Sequence, residues 1–221
     1  MEEKNIIKFK KEEFAIREYV RNSLGKGKVS KVKIEYTPVG EKIIISTNRP
    51  GLIIGRGGEK IDELTKILKS KFNLENPHIE IDEIRNAEFD AQIMADEIAL
   101  SLERFGPLKF KVIAYKTLQR IMNAGALGTD IRLSGKLPSS RAKTWRFAQG
   151  YLKKTGDSAK VVDRAQAVAQ TRPGTVGVKV SILSPDADLK DKIDVNDKLL
   201  EKIRREEEQR HERDKKDSGS N

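Results

Sequence analysis

Residues 49–64 read Arg-Pro-Gly-Leu-Ile-Ile-Gly-Arg-Gly-Gly-Glu-Lys-Ile-Asp-Glu-Leu, and this stretch decides how the rest of the chain is read. Pro50 suits the first position of a short helix, and Ile53 and Ile54 stand just before a four-residue Gly55-Arg56-Gly57-Gly58 loop. Beyond the loop Ile61, Leu64, Ile67 and Leu68 recur at helical spacing. Glycines at both ends of the loop remove Cβ where a backbone must turn tightly and meet another backbone closely. A helix opening directly afterwards directs unpaired N–H groups and its positive dipole end at the same place. Such a place suits a phosphate.

A lone glycine turn can simply connect two elements. Here the apolar patterns on both sides predict helix, GXXG loop and helix in sequence, which resembles the loop by which KH modules clamp a nucleic-acid backbone. The flanks extend the resemblance. Residues 5–24 carry Ile6, Phe9, Phe14, Ile16, Tyr19, Val20 and Leu24 among charges, a helical pattern that stops at Gly25. Residues 31–36 alternate Lys31, Lys33 and Glu35 with Val32, Ile34 and Tyr36, as a half-buried strand does. Pro38-Val39-Gly40 makes the turn, and the β-branched run 42–47 is its hairpin partner. Ile79, Ile81 and Ile84 mark a third strand after Asn76-Pro77. This order of elements resembles the type II KH fold. Residues 88–104 predict one more amphipathic helix, expected to pack back on the KH domain before Gly106-Pro107 closes it.

A second domain then opens with a helix over 108–124, with Leu108, Ile113, Leu118, Ile121 and Met122 as apolar positions and Gly125 as its cap. Strand signals follow at 130–134, 144–152, 160–171 and 176–182. One helix on a small, mostly antiparallel sheet is expected, so the fold class is α+β throughout. Trp145, Phe147 and Tyr151 share odd spacing and are expected on a common, core-facing side. The domains are therefore 1–105, 106–184 and a mixed-charge tail at 185–221, read either as a solvated, frayed helix or as a partner-binding segment.

Charge separates these parts. Residues 1–105 hold 19 basic and 19 acidic side chains, residues 106–180 hold 15 and 3, and residues 190–221 hold 10 and 10. The net +10 thus comes from the second domain. A domain so poor in acids asks for a polyanion, and nucleic acid is the commonest. The candidate RNA contacts are Gly55, Arg56, Gly57 and Gly58 in the loop, then Lys109, Lys111, Lys116, Arg120, Arg132, Lys136, Arg141, Lys143 and Arg146 in the basic domain. Ser139 and Ser140 add hydroxyl donors beside Arg141. With aromatic residues at 5%, recognition of shape and backbone is expected rather than base stacking.

Other chemistry finds little support. The chain has no cysteine, which removes disulfides and thiolate metal sites. His78 and His211 stand far apart, so no metal and no cofactor is expected. No Walker A motif or catalytic triad is legible, so no catalytic residue, enzyme activity or small-molecule substrate is expected. A lysine could in principle form a Schiff base with an opened abasic sugar, but no particular lysine is singled out. No apolar run reaches the ~18–20 residues of a membrane span, and the acidic start lacks a signal-peptide core. A cytosolic protein without membrane contact is expected.

The stretch Leu133-Ser134-Gly135-Lys136-Leu137-Pro138-Ser139-Ser140-Arg141-Ala142-Lys143-Thr144-Trp145, with the GXXG loop and Gly174-Thr-Val-Gly-Val-Lys-Val-Ser-Ile182, closely resembles the S-three family of small-subunit ribosomal proteins, archaeal type, over about residues 1–184. The resemblance implies a cytoplasmic, ribosome-associated structural component of the small-subunit head. It would bind rRNA, touch neighbouring head proteins and line the entrance of the mRNA channel. There the family's basic helix, which falls on Lys109, Lys111, Lys116 and Arg120, faces incoming message and helps unwind it. The family's paired arginines are not reproduced, since Val112 follows Lys111. A KH regulator acting off the ribosome and a lysine-dependent DNA-repair lyase are the alternatives from other classes.

Overall fold

A β-hairpin organises the first part of the molecule. Strands β1 (Val32–Thr37) and β2 (Gly40–Thr47) pair antiparallel, with Thr37 opposite Gly40 at the turn. The structure, a computed structural model, describes residues 2–38, 40–72, 74 and 76–189, so the predicted tail lies almost wholly outside the described residues. Strand β3 (His78–Glu83) pairs with β2 in parallel, Ile43 opposite Ile79. A parallel pair needs a crossover, and the helix–GXXG–helix segment supplies it as α2 (Pro50–Ile54) and α3 (Glu59–Phe72). Helix α1 (Glu2–Leu24) covers the same sheet face with Ile16, Val20 and Leu24, spaced one turn apart. These join Ile43, Ile45, Ile53, Leu64 and Leu68 in one buried core. The α+β order and the type II KH topology expected from the sequence are both present.

Helix α4 (Ala91–Phe105) departs from expectation. Asp90 caps it, accepting hydrogen bonds from the N–H groups of Gln92 and Ile93 at 2.9 and 3.0 Å. Its buried side joins the core of the second sheet and not that of the KH domain. The reason is size. Ala91, Ala95 and Ala99 present a small-residue face, and strand β6 (Asp163–Thr171) offers Ala165, Ala167 and Ala169 to it, so the backbones can close together. Toward the KH domain α4 shows acids instead. Asp96 accepts from the Gly27 N–H at 3.0 Å, Glu103 holds Lys26 at 2.9 Å, and Asp90 accepts from the Ser30 hydroxyl.

Helix α5 (Phe110–Asn123) packs beside α4, so two helices and not one cover the second sheet. That sheet runs β5 (Lys143–Gly150), β4 (Gly128–Gly135), β7 (Gly174–Leu183), β6, antiparallel throughout. Ile131, Leu133, Phe147, Val178, Val180 and Ile182 face the helices. Trp145 is half-buried on this side and donates its indole N–H to the Leu137 carbonyl at 3.0 Å. Tyr151 does not join them. It lies past the end of β5, where Gly150 takes φ +75°, and is 53% exposed. Leu108, assigned to the helix core from sequence, lies ahead of α5 and is exposed.

Candidate nucleic-acid interface

The glycine loop adopts conformations that need glycine. Gly55 ends α2 at φ +76°, ψ −170°, a region that residues with a Cβ enter only under strain. Gly57 sits at φ 61°, ψ 15° and Gly58 at φ +90°. The first turn of α3 carries Glu59 and Asp62, which already oppose its dipole. Positive charge at the loop therefore comes from Arg56 and Lys60 rather than from the helix end alone. Arg56 is exposed and, among the described residues, has no ion-pair partner. Beside the loop Leu24, Lys28, Leu52, Lys60, Leu64 and Ile67 line a shallow hollow of about 180 Å³.

The nine basic candidates of the second domain do not form one patch. The sheet divides them. Lys109, Lys111 and Lys116 decorate the outer side of α5 and its lead-in turn. Lys143, at the start of β5, meets this group through Trp145. The Lys111 and Lys143 ammonium groups lie 5.0 and 5.4 Å from the indole centroid, on an aromatic face that attracts cations. The Lys109 ammonium lies 5.8 Å from the ring of Phe105. Lys136 and Arg141 stand exposed around the β4–β5 connection, with Ser139 and Ser140 between them. The Ser139 hydroxyl donates to the Arg141 carbonyl at 3.3 Å.

Arg120 belongs elsewhere. Its guanidinium makes a two-pronged pair with Glu97 of α4, Nη1 to Oε1 at 2.7 Å, and it also reaches the Met94 sulfur. It ties α5 to α4. Arg132 and Arg146 project from the opposite face of the sheet, the one without helices. They share the buried carboxylate of Asp130, each at 3.0 Å. Sequence reasoning passed over Arg164 and Lys179, which stand on that same face. Strict alternation in β6 and β7, with alanine and valine inward, was the signal that could have placed them.

Leu108, Val112 and Tyr115 follow one another at intervals of four and three residues and are 78%, 67% and 61% exposed. They form an apolar stripe between the lysines of α5. Among the described residues no group of histidines, cysteines or carboxylates is placed to hold a metal ion, and no helix is long and apolar enough to cross a membrane.

Known proteins resemble this chain in both parts. Residues 15–89 match the KH domain model, and residues 98–182 match that of the ribosomal protein S3 C-terminal domain. A small ribosomal subunit protein uS3 from Methanocaldococcus jannaschii is 40% identical over 210 residues, covering 95% of this chain and all of the relative. The chain belongs to the uS3 family. Further uS3 proteins are similar. That of Methanosphaera stadtmanae is 37% identical over 89% of this chain and 78% of its own length. That of Methanothermobacter thermautotrophicus is 40% identical over 80% and 68%. The expected likeness to the archaeal type is thus met, and the uS3 family is structural rather than enzymatic.

Proposed function

We propose that this uS3 protein is a structural component of the small ribosomal subunit, cytoplasmic and ribosome-associated, that binds rRNA in the subunit head and lies at the entrance of the mRNA channel. The likeness to uS3 relatives, over 80–95% of this chain, supports the ribosomal assignment. For the RNA role, one observation carries most weight. Lys109, on the turn that leads into α5, and Lys111 and Lys116, on α5 itself, are exposed, and among the described residues none has an ion-pair partner. Unspent ammonium groups gathered around one end of a helix can meet phosphates, releasing counterions as they bind. Arg120 is left out of this set because Glu97 already neutralises it. The Gly55–Gly58 loop, with Arg56, is the rRNA or neighbour contact of the KH unit. The exposed stripe of Leu108, Val112 and Tyr115 beside the lysines suits a neighbouring head protein or unstacked message.

The test is a reconstituted translation system programmed with two messages, one with a stable hairpin entering the subunit and one without. Lys109, Lys111 and Lys116 changed together to alanine should slow the hairpin message selectively. Equal rates on both messages would remove the channel role. Sedimentation of the wild-type protein with small subunits through a moderate salt wash checks the assignment itself. A protein that stays at the top of the gradient at low salt would favour a regulator acting off the ribosome.

A further inference from the structure

The helix-free face of the second sheet holds a hollow of about 300 Å³, away from both α5 and the glycine loop. Strand order explains it. The chain leaves β5 at one edge and must reach β6 at the other, and residues 152–154 of this connection wall the hollow while β4, β7 and β6 floor it. Arg132, Lys154, Arg164 and Lys179 line it, with Lys153 beside them. Its one acid, Asp130, has a side chain only 2% exposed and is already committed to Arg132 and Arg146. Arg132 gives Nε and Nη2 to that carboxylate, which leaves Nη1 to donate outward. Lys154, Arg164 and Lys179 have no ion-pair partner among the described residues.

Asp130 offsets only part of the positive charge gathered here. Arg132 sits directly opposite Arg146 on one side and Lys179 on the other. Like charges in a cross-strand row destabilise a sheet. A bound anion would relieve the repulsion. None of the residues around the hollow is aromatic, so it offers no ring on which a base could stack. The Ser181 side of the hollow adds a hydroxyl beside the cations. Forked guanidiniums, ammonium groups and a hydroxyl are the ordinary ligands of phosphate.

We propose that this hollow is a second RNA-contact site, which seats backbone phosphates on Arg132, Lys154, Arg164 and Lys179. It rests on the reading above for its polymer but not for its place, since it lies across the sheet from α5. The test uses the full chain carrying K154Q, R164Q and K179Q together. Binding of a fluorescein-labelled single-stranded RNA is followed by anisotropy over a series of KCl concentrations. Each phosphate contact on a single strand contributes about 0.7 to the slope of log K against log salt, so the variant should lose roughly 2 from that slope. A control with K8Q, K11Q and K33Q removes the same charge from the KH unit and should change it far less. The melting temperature of the triple variant should hold or rise, because cross-strand repulsion falls. An unchanged slope, or an equal loss in the control, overturns the proposal. So does protection of Arg164 by inorganic phosphate with the RNA slope unchanged, which would make the hollow a free-anion site. A wild-type protein that binds no RNA would sink the broader reading and this site with it. Wild-type binding with an unaltered variant slope would sink the site alone.

Discussion

Gly55 and Gly57 should respond differently to the same change, because the loop strains them differently. At Gly55, φ +76° and ψ −170° lie in a region that costs an L-residue about 1–3 kcal/mol. An added Cβ would also stand 2.9 Å from Cγ and 3.2 Å from Cβ of Lys60. Part of that obstacle is the root of the side chain, which cannot swing away. Alanine stiffens the unfolded chain and returns roughly 0.4–1 kcal/mol. The net loss for Gly55→Ala is therefore about 2 kcal/mol. Gly57, at φ 61° and ψ 15°, is left-handed helical, at about 1–2 kcal/mol for alanine. Nothing lies within 4 Å of its added Cβ, and the same return leaves about 0.5–1 kcal/mol. Urea unfolding followed by circular dichroism measures both, with an unchanged m-value as the check on two-state behaviour. If a phosphate backbone approaches Gly57 closely, Gly57→Ala should still weaken RNA binding although it costs less stability than Gly55→Ala. Equal losses of stability for the two variants would refute the account of the loop.

Two further outcomes follow from the polar junction between the KH unit and α4. Asp96→Ala should cost about 1–2 kcal/mol in urea titration, because it leaves the Gly27 N–H without the acceptor it has at 3.0 Å. Burial holds the Asp96 carboxyl above its ordinary value, so relief of that charge offsets part of the loss. Glu103 has the opposite sign. The Gln170 N–H, and after it Lys26, hold its carboxyl below the ordinary 4.5. The stability it contributes is full above 4.5 and is lost as pH falls below that value through its lowered folded pKa. The difference in stability between wild type and Glu103→Gln, measured by thermal melts, should therefore shrink through that acid window. A difference constant with pH would mean that neither the Gln170 N–H nor Lys26 holds the Glu103 carboxylate.

The parts of the fold written in local pattern were legible in the sequence, and the parts that depend on which faces meet were not. Alternation in 31–36 and 176–182 gave strands, and glycine spacing gave the loop between α2 and α3. Periodicity in 88–104 showed that one side of α4 is buried. It could not show against what, because a helical stripe fits any apolar surface of suitable shape. The match of Ala91, Ala95 and Ala99 to the alanines of β6 lies some 70 residues away in the chain. Of the site, each lysine on α5 was named correctly as exposed and basic. Arg120 was grouped with them because its partner, Glu97, lies 23 residues away on another helix. Arg164 and Lys179 were passed over because each is a single charge in an otherwise bland strand. Only the pairing of four strands gathers them with Arg132.

That gathering changes what the charge of the second domain means. A surplus of twelve positive charges in 75 residues could coat a single surface and grip one strand of RNA. Here the sheet separates it. Lys109, Lys111, Lys116 and Lys143 lie on the side covered by helices, and Arg132, Arg146, Arg164 and Lys179 on the open side. No one duplex can reach both at once, because a layer of core side chains stands between them. A protein that binds transiently to one RNA has no use for cations on opposite faces, and they would repel one another through the sheet. A protein held within a folded RNA, with segments on either side, has each face neutralised in place. On this argument the free protein should be less stable than the same protein bound at both faces. Its melting temperature should rise steadily with RNA concentration, and more steeply against log concentration once both faces take part. An equal slope with only the α5 lysines intact would mean that the open face plays no part in holding RNA.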